Sequence, residues 1–341
     1  MSALVVTTCG AMTSLQDFGR FGWQRHGVSN SGAMDRLALA TANVLVGNAP
    51  GAAGIEFMLL GGAFTLGGGS ARVAVAGAPC TVTLDGNPAP HTASLTLRDG
   101  QMLTIGAAQA GVFVYMAVAG GFALPAQLGS LSLHARARIG GLDGRALQPG
   151  DRLPLHRDEA ARQADLMLDP VPLEPMAAIR VVLGPQDDYF SAAGRDAFLS
   201  SAYVVSPQAD RMGYRLTGPR VAHALGYNIV SDGIVAGSVQ VPGSGEPIVM
   251  MADRQTTGGY PKIATVISSD LRVIAQRRPG APVRFAAIDV ADATRLARER
   301  ARALSTLSSR ARATAGKLPP NEDLLGQNLA GAAVDALGRD D

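Results

Sequence analysis

Across residues 54–155 the chain breaks into short alternating runs separated by Gly-Gly, Asp-Gly and Pro-Gly turns. The runs at 57–60, 71–76, 80–84, 94–97, 102–105 and 112–119 carry the period of two that sets successive side chains on opposite faces of a strand. Tight turns between such runs make hairpins, and small barrels are built this way. Composition agrees: 41 glycines, 20 prolines and only 5% aromatic residues, with abundant Val, Ile and Ala, favour many short strands over long helices. A mainly β protein is expected, with a few helices.

At 341 residues the chain exceeds one core, so two domains and a tail are expected. Residues 1–156 read as an N-terminal β-rich domain with one helix. A strand at 4–8 leads into a loop at 9–30. The helix follows, with Ser31 as its cap, Asp35 near its first turn, and Leu37, Thr41, Val44 and Leu45 as its inward stripe. Gly47-Asn48 stops it. Residues 157–169 are charged and helix-permissive, and Pro170, Pro172 and Pro175 mark a boundary. Residues 176–290 read as a second β-barrel domain. It has a strand at 179–183, a helix near 187–201, a strand at 203–205, and a hairpin of 235–241 with 247–252. Residues 291–341 comprise an alanine- and arginine-rich helix, which begins near Val290, and a flexible or partner-docked tail after Ser305.

Thirty basic against 28 acidic side chains leave a formal charge of +2. No basic face or charge run points to nucleic acid or a membrane surface, so small molecules or other proteins are the expected partners. Cys9 and Cys80 are too few and too isolated for a disulfide framework or a zinc site. No basic region precedes an apolar core at the N-terminus, and the apolar stretch at 112–125 is interrupted by Gly120-Gly121. The expected compartment is the cytoplasm.

The site candidate is Asp253-Arg254-Gln255-Thr256-Thr257-Gly258-Gly259-Tyr260-Pro261-Lys262, a polar loop between two strand-like apolar runs at 247–252 and 263–268. Gly258-Gly259 lets the main chain approach a ligand, and Tyr260-Pro261 fixes the path into the next strand. Strand alternation puts Lys262 on the side of Ala264 and Val266, bordering an apolar wall, where an ammonium seeks an anion. Alone, Lys262 reads as a strand-end lysine snorkelling to water. Together with Asp253, Arg254, Gln255, Thr256, Thr257 and Tyr260 it reads as part of a pocket.

A second polar constellation comprises residues 206–216, Asp232-Gly233 and Gln240. Arg211 and Arg215 are placed to fork onto a carboxylate, and Tyr214 and Gln240 to hydrogen-bond an amide or ureido group. The competing reading is a surface pair of Asp210 with Arg211 among turn residues. His26, in the polar loop before the first helix, suits acid or base work near neutral pH. The five histidines show no ligand spacing, so no metal is expected. Neither a phosphate-binding P-loop nor a Gly-x-Ser-x-Gly elbow is present.

Residues 15–20 (Leu-Gln-Asp-Phe-Gly-Arg), 31–35 (Ser-Gly-Ala-Met-Asp), 42–48 (Ala-Asn-Val-Leu-Val-Gly-Asn), 210–216 (Asp-Arg-Met-Gly-Tyr-Arg-Leu) and 255–260 (Gln-Thr-Thr-Gly-Gly-Tyr) together resemble one family. It is the biotin-dependent carboxyltransferase family. Its members include the C subunit of the prokaryotic 5-oxoprolinase, also called KipA, allophanate hydrolase subunit 2, and the carboxyltransferase part of urea carboxylase. The resemblance runs from about Leu4 to about Ala286. Phe21, Ser29 and Ala209 depart from it, and Ala209 removes a hydroxyl that often precedes the Asp-Arg-Met-Gly run.

The resemblance implies two cyclophilin-like β-barrel domains, and work beside separate partner chains, the A and B subunits in the oxoprolinase. The stand-alone length favours ATP-dependent opening of 5-oxoproline to L-glutamate, with ATP used at the level of the complex. Under that reading Lys262, Arg211 or Arg254 stabilise phosphate and the substrate carboxylate. Gln255 with the Gly258 and Gly259 amides serves the developing oxyanion, and Asp17, His26 or Asp232 directs water. The alternative is carboxylation of urea or a related amide by biotin carried on a partner chain, with Gln240, Thr256 and Tyr260 around the ureido ring. A third reading is non-catalytic: a KipA-like partner of a kinase inhibitor that is itself related to the B subunit.

Overall fold

The computed structural model describes residues 2–160, 164–170 and 178–314. The described residues are mainly β and include four α-helices: α1 (Arg36–Leu45), α2 (Ala192–Ser200), α3 (Leu271–Ala275) and α4 (Val290–Ser305).

Strands from the first half divide between a six-stranded and a five-stranded sheet, touching at an isolated bridge from Leu66 to Asp99. The central pair of the five-stranded sheet shows how. In Ser70–Gly77 and Phe113–Val118, Val73, Val75, Val114 and Met116 face one core cluster with Leu4, Phe64 and Leu66 of the other sheet. The alternate residues Ala74, Ala76, Tyr115 and Ala117 face α1. Both faces are buried, so the strands read as continuous apolar runs, and the alanines leave room for a helix to lie close.

Helix α1 is capped by Asp35, whose carboxylate accepts from the Leu37 and Ala38 amides at 3.2 and 3.1 Å. This corrects the expected cap at Ser31, which instead takes a left-handed backbone, φ 51°. Asp35 has the extended backbone and the reach to N2 and N3 that a cap requires. Residues 38–45 are all buried, not only the expected stripe, because α1 also packs against the second half.

The second half forms an eight-stranded sheet in the order Pro282–Val283, Tyr203–Val205, Gly213–Thr217, Ile248–Met250, Ser238–Gln240, Lys262–Val266, Ile179–Leu183, Phe285–Ala287. The first and last strands of that order are separated in sequence by Arg284 alone, so the sheet is a nearly closed barrel. The expected hairpin is present, with Val239 opposite Val249. The helix expected near 187–201 is split: a 3-10 turn at Asp187–Tyr189 precedes α2, which Ser191 caps. The helix-permissive stretch at 157–169 instead holds the short strand Leu166–Met167, paired with Arg312–Ala313. Residues 171–177, in the expected boundary, and the tail from 315 lie outside the described residues.

One core cluster runs through both halves, from Leu39 and Phe113 to Val181, Tyr214 and Val249. The polar link across it is dense. Arg211 donates to Glu56, to both oxygens of Asp253 and to the Gly32 carbonyl. Glu56 also accepts from the Tyr115 hydroxyl at 2.6 Å and the Met34 amide at 2.9 Å. Burial alone would push the Arg211 guanidinium pKa down, but Asp253 and Glu56 more than offset it and the net shift is upward. Among the described residues no helix is long and apolar enough to cross a membrane.

Candidate active site

The loop 253–262 is held at both ends, by strands Ile248–Met250 and Lys262–Val266. Its middle, Thr257–Gly258, pairs antiparallel with Asp232–Gly233, so residues far apart in sequence meet at one barrel end. A β-bulge sets the lysine. Ser238 opposes Thr265 and Val239 opposes Ala264, but Gln240 opposes Lys262, leaving Ile263 as the extra residue. A bulge re-aims the side chain beside it, and the simple alternation that grouped Lys262 with Ala264 and Val266 fails there.

Lys262 is 1% exposed, so the snorkelling reading does not describe it. Its Nζ donates to Asp232 Oδ2 at 2.7 Å, and the Asp232 side chain is 51% exposed. Gln186 ties the pair together: its Nε2 donates to Asp232 at 3.1 Å, while its Oε1 accepts from the Lys262 amide at 3.1 Å. The Lys262 hydrogen bond, then those from Gln186 and the Gly233 amide, hold the Asp232 carboxyl down at about 2. Asp232 is therefore a carboxylate at any working pH and a poor proton acceptor. An ammonium has three donors, and Asp232 takes one.

Gln240, 2% exposed, lies alongside. Its Nε2 donates to the Tyr260 carbonyl and its Oε1 accepts from Gln255 Nε2, both at 3.4 Å. Bonds this long are weak, so the amide can re-partner with a ligand. A Cβ on Gly258 would stand 2.6 Å from Ile234 Cδ1 and 2.7 Å from Gln240 Nε2, so any larger residue there would have to push the ends of these side chains aside. Thr256 and Gly259 enter through their carbonyls, which accept from the Ile234 and Ile229 amides at 2.9 Å each. The Tyr260 side chain is exposed.

Thus Lys262, Asp232, Gln240, Gln255, Thr256, Gly258, Gly259 and Tyr260 are brought together. The other expected residues sit elsewhere. Arg211 has its whole fork engaged inside the protein, as above, and is neither on a surface nor open to a ligand. Tyr214 is buried and donates to the Ala275 carbonyl at 2.6 Å. The Asp17 carboxylate accepts from Ser130 Oγ, Ser132 Oγ and the Gly19 and Leu131 amides, which makes it a loop anchor. His26 is exposed, with its ring 5.8 Å from that of Trp23 and its Nε2 accepting from Arg25 at 3.1 Å. Arg254 is buried behind Ile234, donating to the Ile234 carbonyl at 3.1 Å. It lines a cavity of about 600 Å³ between residues 18–37 of the first half, residues 235–271 of the second, and α4.

Gln186 and Gln24 were not expected. Gln186 had a weak signal, a polar residue right after a strand and a Gly-Pro turn. Gln24 Nε2 donates to the Ile234 carbonyl at 2.8 Å and brings the early loop to the site; nothing local marks it. Among the described residues no His, Cys, Asp and Glu group is arranged to hold a metal ion.

The chain matches the family model described as carboxyltransferase domain, subdomain A and B, over residues 26–287. It is 40% identical over 286 residues to the C subunit of the Haemophilus influenzae 5-oxoprolinase, covering 84% of this chain and 91% of that protein. Identity to the C subunit of the Escherichia coli 5-oxoprolinase is 38% over 314 residues, covering 90% and 98%. With the urea amidolyase of Saccharomyces cerevisiae it is 30% over 304 residues, covering 83% of this chain but 16% of that enzyme. The crystal structure of the K. lactis urea amidolyase superposes with a TM-score of 0.81 at 27% identity, over 89% of this chain and 20% of that one. The family model over residues 26–287 and these relatives show that the chain belongs to the carboxyltransferase domain family, subdomains A and B.

Proposed function

We propose that this chain is the C subunit of a prokaryotic-type 5-oxoprolinase, opening 5-oxoproline to L-glutamate with ATP and together with the A and B subunits, in the cytoplasm. What carries the reading is the buried ammonium of Lys262 with two uncommitted donors, set beside the loosely bonded Gln240 amide. Identity favours it over the carboxylation reading: 40% and 38% to the two 5-oxoprolinase relatives against 30% to the yeast urea amidolyase.

A lactam resists water because its nitrogen lone pair is delocalised into the carbonyl, and ring opening places negative charge on that oxygen. Lys262 donates to the developing oxyanion in a site where burial strengthens the interaction. Gln240 reads the lactam edge, accepting from its N–H and donating to its C=O, and Gln255 with the Gly258 amide limits how the ring lies. Asp232, too acidic to take a proton from water, acts as the positioning group that orients Lys262. ATP supplies the activation of the carbonyl at the level of the complex.

The test is glutamate release from 5-oxoproline and ATP by the chain mixed with its A and B subunits. ATP-dependent glutamate is the expected result. No glutamate from an intact complex, with biotin-dependent carboxylation of urea in its place, would overturn the reading.

A further inference from the structure

Three arginines line the cavity between the halves, Arg36, Arg254 and Arg300, and no acidic residue lines it with them. The nearest carboxylates, Asp17 for Arg36, Asp253 for Arg254, and Asp35 and Asp270 for Arg300, act on them without forming an ion pair. Arg36 opens α1, where the helix dipole disfavours a cation, and its guanidinium lies 5.7 and 5.4 Å from the ring centroids of Phe18 and Phe21. Arg254, 4% exposed, donates only to carbonyls, those of Ile234 and Met251. Arg300 donates to the Ser268 and Ser269 carbonyls at 2.8 Å each, which ties α4 over the opening. Among the described residues none of the three forms a salt bridge.

Every carboxylate nearby is engaged elsewhere. Asp17 anchors Ser130 and Ser132. Asp35 caps α1 and pairs with Arg272. Asp253 pairs with Arg211, and Asp270 with Arg180. Burial, and then repulsion from Arg36, outweighs the pull of Asp253 and brings Arg254 down to about 10; burial lowers Arg36 and Arg300 as well, and Arg300 also feels Arg272 and Arg36. A cluster of desolvated like charges is costly unless an anion completes it. Most of the remaining wall is apolar, with Phe18, Phe21, Leu271 and Leu304 among its residues, and Gln24 and Asn30 add polar groups. Helix α4 buries none of its own residues; its inner side faces this cavity.

We propose that this cleft is an oxyanion-binding site, in which Arg36, Arg254 and Arg300 hold a phosphate or carboxylate head and the apolar wall takes the body of the ligand. It lies behind Ile234, whose carbonyl accepts from Arg254 and Gln24 and whose side chain abuts Gly258. The site is thus adjacent to the Lys262 cluster yet distinct from it, and does not depend on the reaction proposed above. Guanidinium groups match phosphate and carboxylate by paired hydrogen bonds, so either source fits.

The chain's one tryptophan, Trp23, sits between the cleft residues Phe21 and Gln24 and gives the readout. The full chain is titrated with inorganic phosphate and, separately, with 5-oxoproline, at ionic strength held constant with chloride, following Trp23 fluorescence and heat by calorimetry. Saturable binding of at least one probe is expected, weakened at least tenfold in Arg36→Gln and in Arg254→Gln, and unchanged in Arg298→Gln, an exposed arginine of α4 that does not line the cleft. Phosphate alone would identify the head as phosphoryl, and 5-oxoproline alone as carboxylate. Should Arg254→Gln fail to fold, Arg36→Gln, whose side chain makes no hydrogen bond to the rest of the described chain, carries the test. Binding of both probes no better than chloride, wild-type affinity in Arg36→Gln, or an equal loss of binding in Arg298→Gln would overturn the proposal, whatever the outcome for glutamate release.

Discussion

Replacing Arg211 by methionine separates a structural from a ligand-binding role for that residue. The side chain lies between Glu56 and Asp253, whose side chains are only 1% and 9% exposed. Methionine fills much of the volume but leaves both carboxylates and the Gly32 carbonyl without their cation. Breaking a buried ion pair from one side costs about 3–5 kcal/mol. At roughly 2 °C per kcal/mol for a chain of this size, Tm should fall by about 6–10 °C. Differential scanning calorimetry of the isolated chain measures this. Arg211→Lys, which restores the charge but not the fork, should recover only part of the loss. An unchanged Tm in Arg211→Met, with glutamate release abolished in the complex, would refute the reasoning and put Arg211 on the substrate.

Three further outcomes follow from the geometry. Asp232 is held at about 2, so its contribution is complete above the ordinary carboxylate range and disappears only as pH falls from about 4 through about 2. Carbon-13 NMR of labelled aspartate should show no Asp232 titration above pH 4 in the wild type, and a titration shifted upward in Lys262→Met, where the bonds from Gln186 and the Gly233 amide remain. Gly258→Ala presses on the flexible ends of Ile234 and Gln240; it should cost about 1 kcal/mol of stability yet lower glutamate release about a hundredfold by displacing the amide. Wild-type turnover would remove Gln240 from the site. Asp35→Ala removes the α1 cap and the partner of Arg272, and should lower stability by about 2 kcal/mol in urea unfolding; a loss under about 0.5 kcal/mol would contradict the assigned cap.

Local pattern made the strands legible: period-two runs bounded by glycine turns placed the segments at 102–105 and 112–119 almost where they fall. It also marked the loop 253–262 as the place where polar groups converge. What escaped was whatever depends on pairing between distant segments. The bulge at Ile263 exists only relative to Gln240, so alternation along the strand alone misjudged how Lys262 points. Arg211 looked like a ligand-binding or surface arginine because Glu56, its partner, is 155 positions away in an apolar strand. Ser31 and Asp35 both have capping chemistry, and only the backbone conformation decides between them. Arg36 and Arg300 drew no notice because nothing in their neighbourhood in sequence says that they share a cavity.

In the proposed reaction Lys262, buried and held by Asp232, stabilises the charge that develops during ring opening. The most direct test is glutamate release from 5-oxoproline and ATP by the complete complex carrying Lys262→Met, alongside Tm of the isolated variant. Methionine is apolar and of similar length, and the half-exposed Asp232 can turn to water, so Tm should stay within about 2 °C of the wild type while turnover falls at least a hundredfold. Turnover within about threefold of wild type from a folded Lys262→Met complex would contradict the account.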